Sequence, residues 1–150
     1  MSSPAASPSS SSASDDDDRL AEAFWAVARR LRHRTKIALE PWDLSPSLAR
    51  ALSVLAREGD LRLSALAEKL RIVPRSATEV VDDLQRLGLV SRRADPDDRR
   101  AVLVALTTAG ERTSRAIQEA RQAEGERFFA ALDSSDRADL VRVLRKLNEL

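Results

Sequence analysis

The feature that most restricts the fold of this chain is a change of hydrophobic period within residues 74–106. From Pro74, apolar residues recur at steps of three and four, the spacing of an amphipathic helix; they are Ala77, Val80, Val81, Leu84 and Leu87. Gly88 is typical of a helix end. Residues 89–94 and 101–106 are rich in valine and leucine and flank the turn-forming sequence 95–100. A helix followed at once by a β-hairpin is therefore predicted.

Two shorter helices are predicted before this unit. Ser45 begins the first, Gly59 ends it, and its inner face carries Leu48, Leu52 and Leu55. An extended piece over 60–63 leads to Ser64, a suitable cap for a brief second helix, and residues 71–73 form the turn that follows it. This is the element order of a winged helix-turn-helix. In that fold the second helix of the pair enters the major groove of DNA, and the hairpin, or wing, contacts the backbone or the minor groove.

Long amphipathic helices are also predicted at both ends of the chain. One runs from Arg19 to near Pro41, a second starts after Thr107, and a third follows Asp133 or Ser134. The winged unit does not need these helices, and their apolar stripes require a partner. The same helices of a second copy are the simplest partner, so a homodimer is predicted.

These predictions divide the chain into four parts. Residues 1–14 contain only Met, Ser, Ala and Pro, so a disordered Ser/Ala/Pro and Asp-rich tail is predicted over 1–18. Its Asp15–Asp18 run either caps the following helix or serves as an acidic interaction tail. The predicted fold class is mainly α (α+β). After the tail come an N-terminal dimerisation helix, a winged helix-turn-helix lobe and C-terminal dimerisation helices, over 19–44, 45–107 and 108–150.

Composition argues against several classes of protein. Cysteine is absent and His33 is the only histidine, so no metal site, cysteine redox switch or Ser-His-Asp triad is expected, and no cofactor is implied. The sequence has no membrane-length apolar run and no signal segment, which predicts a cytoplasmic protein without a membrane partner. Apart from Asp15–Asp18, basic residues exceed acidic ones by five. That excess is a weak indication of a nucleic-acid partner.

Two stretches of the chain follow a known pattern. One extends from Leu66-Ala67-Glu68-Lys69-Leu70 through residues 74–82 to Leu87-Gly88-Leu89-Val90. The other is the wing over 95–104, which leads into Leu106-Thr107 and Gly110. In this order and spacing the chain resembles the MarR family of multiple-antibiotic-resistance regulators over about residues 20–150. The resemblance implies a homodimeric repressor that binds pseudo-palindromic double-stranded DNA and responds to a small-molecule effector.

The wing carries the strongest candidates for DNA contact. Arg99 and Arg100 suit a narrow minor groove and can also clamp phosphates. The resemblance implies that Asp98 pairs with Arg100 and holds the wing tip in shape. Arg92, late in the first wing strand, contacts phosphate or pairs with Asp82 or Asp83. For Arg99 and Arg100 the alternative is an ordinary solvated charged turn.

The first turns of the helix after Pro74 hold the candidates for base reading. Arg75 can bind guanine O6 and N7 with two hydrogen bonds, and Thr78 can reach base edges. Ser76 does the same or only caps local backbone. Glu79 accepts from cytosine N4 or is an ordinary exposed residue; it departs from the family pattern, in which a basic residue is common here.

The candidate effector contacts are Trp25, His33 and Trp42. In the family, an effector pocket commonly lies between the dimer helices and the DNA-binding lobe, and these residues lie on or just after the first long helix. Packing in the core or the dimer interface is the alternative.

A sequence-specific DNA-binding regulator is the first functional hypothesis. A winged-helix protein-interaction module that does not read DNA is the alternative, because residues 60–107 contain nearly equal numbers of basic and acidic residues. No enzymatic activity is predicted, since the sequence offers no phosphate loop, metal cluster or nucleophile–base pair.

Overall fold

The fold is a small mixed lobe carried on long helices. The structure, a computed structural model, describes residues 11–149 and the side chains of 14–149. A single 3₁₀ turn, Glu40–Trp42, follows the first helix. The α-helices are α1 (Ser11–Leu39), α2 (Pro46–Glu58), α3 (Leu63–Leu70), α4 (Pro74–Arg86), α5 (Thr108–Phe128) and α6 (Ser134–Asn148). The strands are β1 (Leu61–Arg62), β2 (Val90–Ala94) and β3 (Val102–Leu106). This order confirms the predicted winged helix-turn-helix.

The first helix starts earlier than the sequence predicts. α1 already includes residues 11–18, so the predicted disorder is wrong for that segment, and residues 1–10 lie outside the described part of the chain. Asp15–Asp18 therefore lie inside α1 rather than before it. Extending an existing helix by one residue adds a hydrogen bond without a new nucleation step.

Local signals determine most helix ends. Ser45, Thr107 and Asp133 cap α2, α5 and α6, each accepting a hydrogen bond from the backbone N–H three residues later, at 3.3, 3.0 and 2.8 Å. The predicted cap at Ser64 is wrong. α3 begins at Leu63, so its N-cap residue is Arg62, whose guanidinium has only donors and cannot accept from the backbone N–H groups of the first turn.

The hydrophobic core lies where α2, α3 and α4 meet the sheet and the middle of α5. Its largest fully buried side chains are Leu52, Leu55, Leu66, Val81, Leu84, Val104 and Ile117. Burial of this apolar surface is the main favourable contribution to folding. Leu87, which helical spacing places on the same face, is exposed because α4 ends at Arg86. The core fixes the inner face of α4 and leaves its outer face in solvent.

The sheet connects the wing to the start of the helix-turn-helix. Its strand order is β1-β3-β2, all antiparallel. The hairpin pairs Val90 with Leu106 at its base and Ala94 with Val102 near its tip. On the other side of β3, Leu61 pairs with Val104. The wing therefore leaves the lobe from a paired base that also anchors the chain entering α3.

The terminal helices keep large apolar surfaces in solvent. α1 packs on α5, where Arg34 forms an ion pair with the buried Glu124 and lies over the Phe128 ring at 5.6 Å. Within residues 11–149, no other element packs extensively against α6. Exposed apolar side chains on these two helices are Leu20, Phe24, Trp25, Val27, Ile37, Val141, Val143 and Leu147. No helix in this range combines the length and apolar composition that crossing a membrane requires.

Candidate DNA-binding interface

The turn between α3 and α4 directs the start of α4 outward. Arg71 adopts a left-handed conformation with φ of 54°, and its N–H donates to the Glu68 carbonyl at 3.0 Å. The N–H of Ile72 donates to the Ala67 carbonyl at 3.1 Å, which closes the end of α3. The chain then enters α4 at Pro74, whose missing N–H is not needed at a helix start.

Two of the candidate base-reading residues share the outer face of α4. Arg75 Nε lies 3.5 Å from Glu79 Oε1, one helical turn away, and both side chains are exposed. An exposed pair of this kind contributes little to stability, so both side chains can turn to a ligand at small cost. Ser76 and Thr78 are half-buried, and Thr78 Oγ1 donates to the Pro74 carbonyl at 3.1 Å. The structure thus brings Arg75 and Glu79 together, and the Thr78 hydroxyl is already used in a hydrogen bond within α4.

Arg99 and Arg100 are exposed at the tip of the wing. Within residues 14–149, neither guanidinium takes part in an ion pair. Asp98 does contact Arg100, but through the backbone: Asp98 Oδ1 accepts the backbone N–H of Arg100 at 3.0 Å. This bond still shapes the turn, as the resemblance implies, and it leaves both guanidinium groups facing solvent.

A buried carboxylate at the start of the wing turn was not among the sequence candidates. Asp95 is only 5% exposed and accepts the N–H of Asp97 at 2.9 Å. It also accepts from Arg62 Nε at 2.8 Å and pairs with a terminal nitrogen of Arg62 at 2.6 Å. The backbone N–H of Asp97 and the Arg62 guanidinium lower the pKa of Asp95, and Asp95 in turn raises the pKa of Arg62. This pair fastens the wing to β1.

Arg92 and Arg93 are held by acidic residues of neighbouring elements. Arg92 is half-buried and binds Asp82 at 2.6 Å as well as Gln85, both on α4. Arg93 binds Asp60, which precedes β1. Of the two uses predicted for Arg92, the structure has the pairing with Asp82. These contacts and the Asp95 pair make the wing, α4 and β1 one unit.

Asp95→Asn is expected to loosen this unit and to change its pH dependence. A lowered pKa means that Asp95 adds stability above its unfolded pKa of about 4, and that this stability is lost as pH falls through the folded value. The wild-type urea midpoint should therefore fall more steeply between pH 5 and pH 3 than that of the variant. Asp97→Asn, a change at an exposed neighbouring position, is the control and should keep the wild-type slope. Parallel pH profiles for wild type and Asp95→Asn would contradict the assignment.

The three candidate effector residues do not line a common cavity. Trp25 and His33 are exposed on α1, whereas Trp42 is half-buried against the core. A cavity of about 820 Å³ lies nearby, but none of the three is among the residues that line it. The cavity is lined by α1, the connection that follows it, α2, α4 and α5. Its lining includes Arg32, Lys36, Leu39, Leu48, Asp83 and Arg121.

An arginine-tipped wing beside a helix with an exposed outer face defines a winged helix-turn-helix protein of the DNA-binding class. The family model described as MarR family matches residues 44–102. An HTH-type transcriptional regulator of Mycobacterium tuberculosis, MT0903.1, is 35% identical over 82% of this chain and 82% of its own. The chain belongs to the MarR family and is a DNA-binding regulator of transcription.

Two further relatives support this membership. YhbI, an uncharacterized HTH-type transcriptional regulator of Bacillus subtilis, is 31% identical over 87% of this chain and 82% of its own. The solved structure of a MarR family protein from Bacillus stearothermophilus aligns with a TM-score of 0.80 at 27% identity, covering 91% of this chain and 95% of that one. The resemblance noted in the sequence is thereby confirmed, and the names of these relatives indicate regulators rather than enzymes.

Proposed function

We propose that this chain is a ligand-responsive repressor that acts in the cytoplasm as a homodimer on a pseudo-palindromic operator. One observation carries the proposal: the free guanidinium groups of Arg99 and Arg100 lie on the same rigid unit as the exposed outer face of α4. A reading helix and a basic wing fixed relative to each other can meet a groove and its flanking backbone together.

The attraction to DNA comes from a few arginines. Arg62, Arg92 and Arg93 are neutralised by aspartates within the lobe, so they position the wing. Arg99 and Arg100 supply the phosphate or minor-groove contacts, and Arg75 binds a base edge in the major groove. Glu79 releases Arg75 on binding and accepts from cytosine N4, which favours a G·C-containing half-site.

The exposed apolar faces of α1 and α6 support the homodimer. Leu20 is 70% exposed and Leu147 56% exposed, and such surfaces in a single chain indicate an interface. Two lobes held by this interface fit half-sites about 10 bp apart, centre to centre. Phe24→Asp places a charge in the predicted interface, and we expect it to yield monomers in sedimentation experiments and to lose operator binding. A variant that remains dimeric would contradict this use of α1.

The 820 Å³ cavity is the proposed effector site. It is lined by α1 and α5 as well as by Asp83 of the reading helix α4, so a ligand there touches both the dimer arms and the DNA-binding lobe. A ligand that prefers a different lobe spacing weakens DNA binding by its differential affinity for the two states. Repression follows the example of MdtR of Bacillus subtilis, an HTH-type transcriptional repressor that is 23% identical over 81% of this chain.

Selection of bound duplexes from a random library, followed by polarisation titrations at several salt concentrations, tests the proposal. We expect a two-fold symmetric sequence bound by two protomers with a Kd on the order of 10 nM and a clear salt dependence. If the protein binds no selected sequence better than scrambled DNA at low salt, that result would instead support a protein-interaction module. The internal Asp–Arg pairs of the lobe favour that second function.

A further inference from the structure

Val73 occupies an unusual position at the start of α4. It is the N-cap residue, and its side chain makes no capping hydrogen bond, whereas α2, α5 and α6 each have a Ser, Thr or Asp that does. Val73 as a residue is also 63% exposed, while Ile72 directly before it packs against the core. Val73 therefore contributes neither a cap nor core packing, and its two methyl groups lie in water.

These methyl groups lie at the end of α4 that the proposed function places in the major groove. Arg75, two residues later, has a 90% exposed side chain and carries the proposed base contact. Among the base edges of the major groove, the C5-methyl group of thymine is the apolar feature. Cytosine presents an amino group at the neighbouring position, and an apolar side chain against it would leave that donor unpaired. An exposed valine here thus favours thymine over cytosine in two ways. It gains an apolar contact with the methyl group of thymine, and it would leave the amino group of cytosine without a partner.

Resting on the proposed function, we infer that Val73 is a specificity-determining residue that packs on the C5-methyl group of one thymine in each half-site. This thymine lies next to the base pair contacted by Arg75. The contact removes apolar surface from water on both molecules, and it selects the base through shape and the methyl group rather than through hydrogen bonds.

Two substitutions separate this role from a structural one. Val73→Thr keeps the side-chain shape and one methyl group and adds a hydroxyl that can cap α4. Val73→Ser adds the same cap but removes both methyl groups. Both variants should melt at or above the wild-type temperature because they supply the missing cap. Only Val73→Ser should lose the contact with thymine.

The probe is the selected operator with each thymine in turn replaced by deoxyuridine, which removes only the C5-methyl group. At one thymine per half-site, we expect this replacement at both half-sites to weaken binding by wild type and by Val73→Thr about threefold to tenfold. Val73→Ser should bind the thymine and deoxyuridine operators equally.

Two results would overturn the inference. In the first, no thymine is sensitive to loss of its methyl group. In the second, removal of each methyl group weakens binding by the same factor for wild type and Val73→Ser. In both cases sequence-specific binding persists and the proposed function stands. Failure to select any preferred sequence at low salt overturns the proposed function and this inference with it.

Discussion

Gly110→Ala is expected to destabilise the fold by about 3 kcal/mol, combining overpacking with a lost backbone hydrogen bond. A Cβ atom at Gly110 would lie 1.9 Å from the carbonyl oxygen of Leu89 and 3.0 Å from its carbonyl carbon. That oxygen accepts the backbone N–H of Thr107 at 3.1 Å. The new Cβ atom is held in place by the backbone of α5, and the atoms that it meets belong to the backbone of Leu89. The start of α5 must therefore move away from the wing base. The urea midpoint, followed by circular dichroism, measures the effect.

Gly125→Ala in the same helix is the matched control. Apart from its chain neighbours and the backbone of its own helix, no atom of the described chain lies within 4 Å of a Cβ atom built at Gly125. Replacing an unhindered helical glycine by alanine stabilises by roughly 0.5–1 kcal/mol, so this variant should unfold at a higher urea concentration than wild type. Equal midpoints for Gly110→Ala and Gly125→Ala would show that the close approach of α5 to Leu89 is not required.

The contrast between these two glycines shows where prediction from sequence succeeds. Helix ends and the hairpin depend on residues within about four positions of each other, so the caps at Ser45 and Thr107 and the change of period after Leu87 could be predicted. Gly110 could be assigned to the family pattern. The reason why this position needs a glycine could not be predicted, because the close neighbour is Leu89, 21 positions away in the chain.

The wing shows the same limit at the candidate site. Arg99 and Arg100 could be predicted because a turn sequence between two strands places them at a tip. The partner of Asp95 is Arg62, 33 positions away, and only the strand order β1-β3-β2 brings them together. For Arg92 the sequence left two uses open, because a choice between phosphate and Asp82 depends on how β2 lies against α4.

The double substitution Arg99→Ala with Arg100→Ala is expected to weaken operator binding about 100-fold at roughly 0.1 M salt. Each arginine that neutralises a phosphate contributes about 0.9 to the slope of log K against log salt. Loss of two per protomer should therefore reduce the slope of the dimer by roughly 3 to 4. Polarisation titrations on the selected operator measure both the affinity and the slope. The urea midpoint should stay near that of wild type, because both side chains are exposed and without ion pairs in the described chain.

Two further variants distinguish how the wing binds. Arg57→Ala removes an exposed arginine of α2 that is paired with Glu58 and lies on neither α4, the wing nor the predicted dimer helices, and it should change neither affinity nor slope. Replacing both wing arginines by lysine keeps the charge but removes the planar fork. If this variant has the wild-type affinity and salt slope, the wing binds through phosphate attraction alone. If the lysine variant has the wild-type slope but a weaker affinity, the arginines of the wild-type protein insert into a narrow minor groove, where geometry matters as well as charge. If the double alanine variant binds like wild type, the wing does not touch the DNA, and α4 alone must account for recognition.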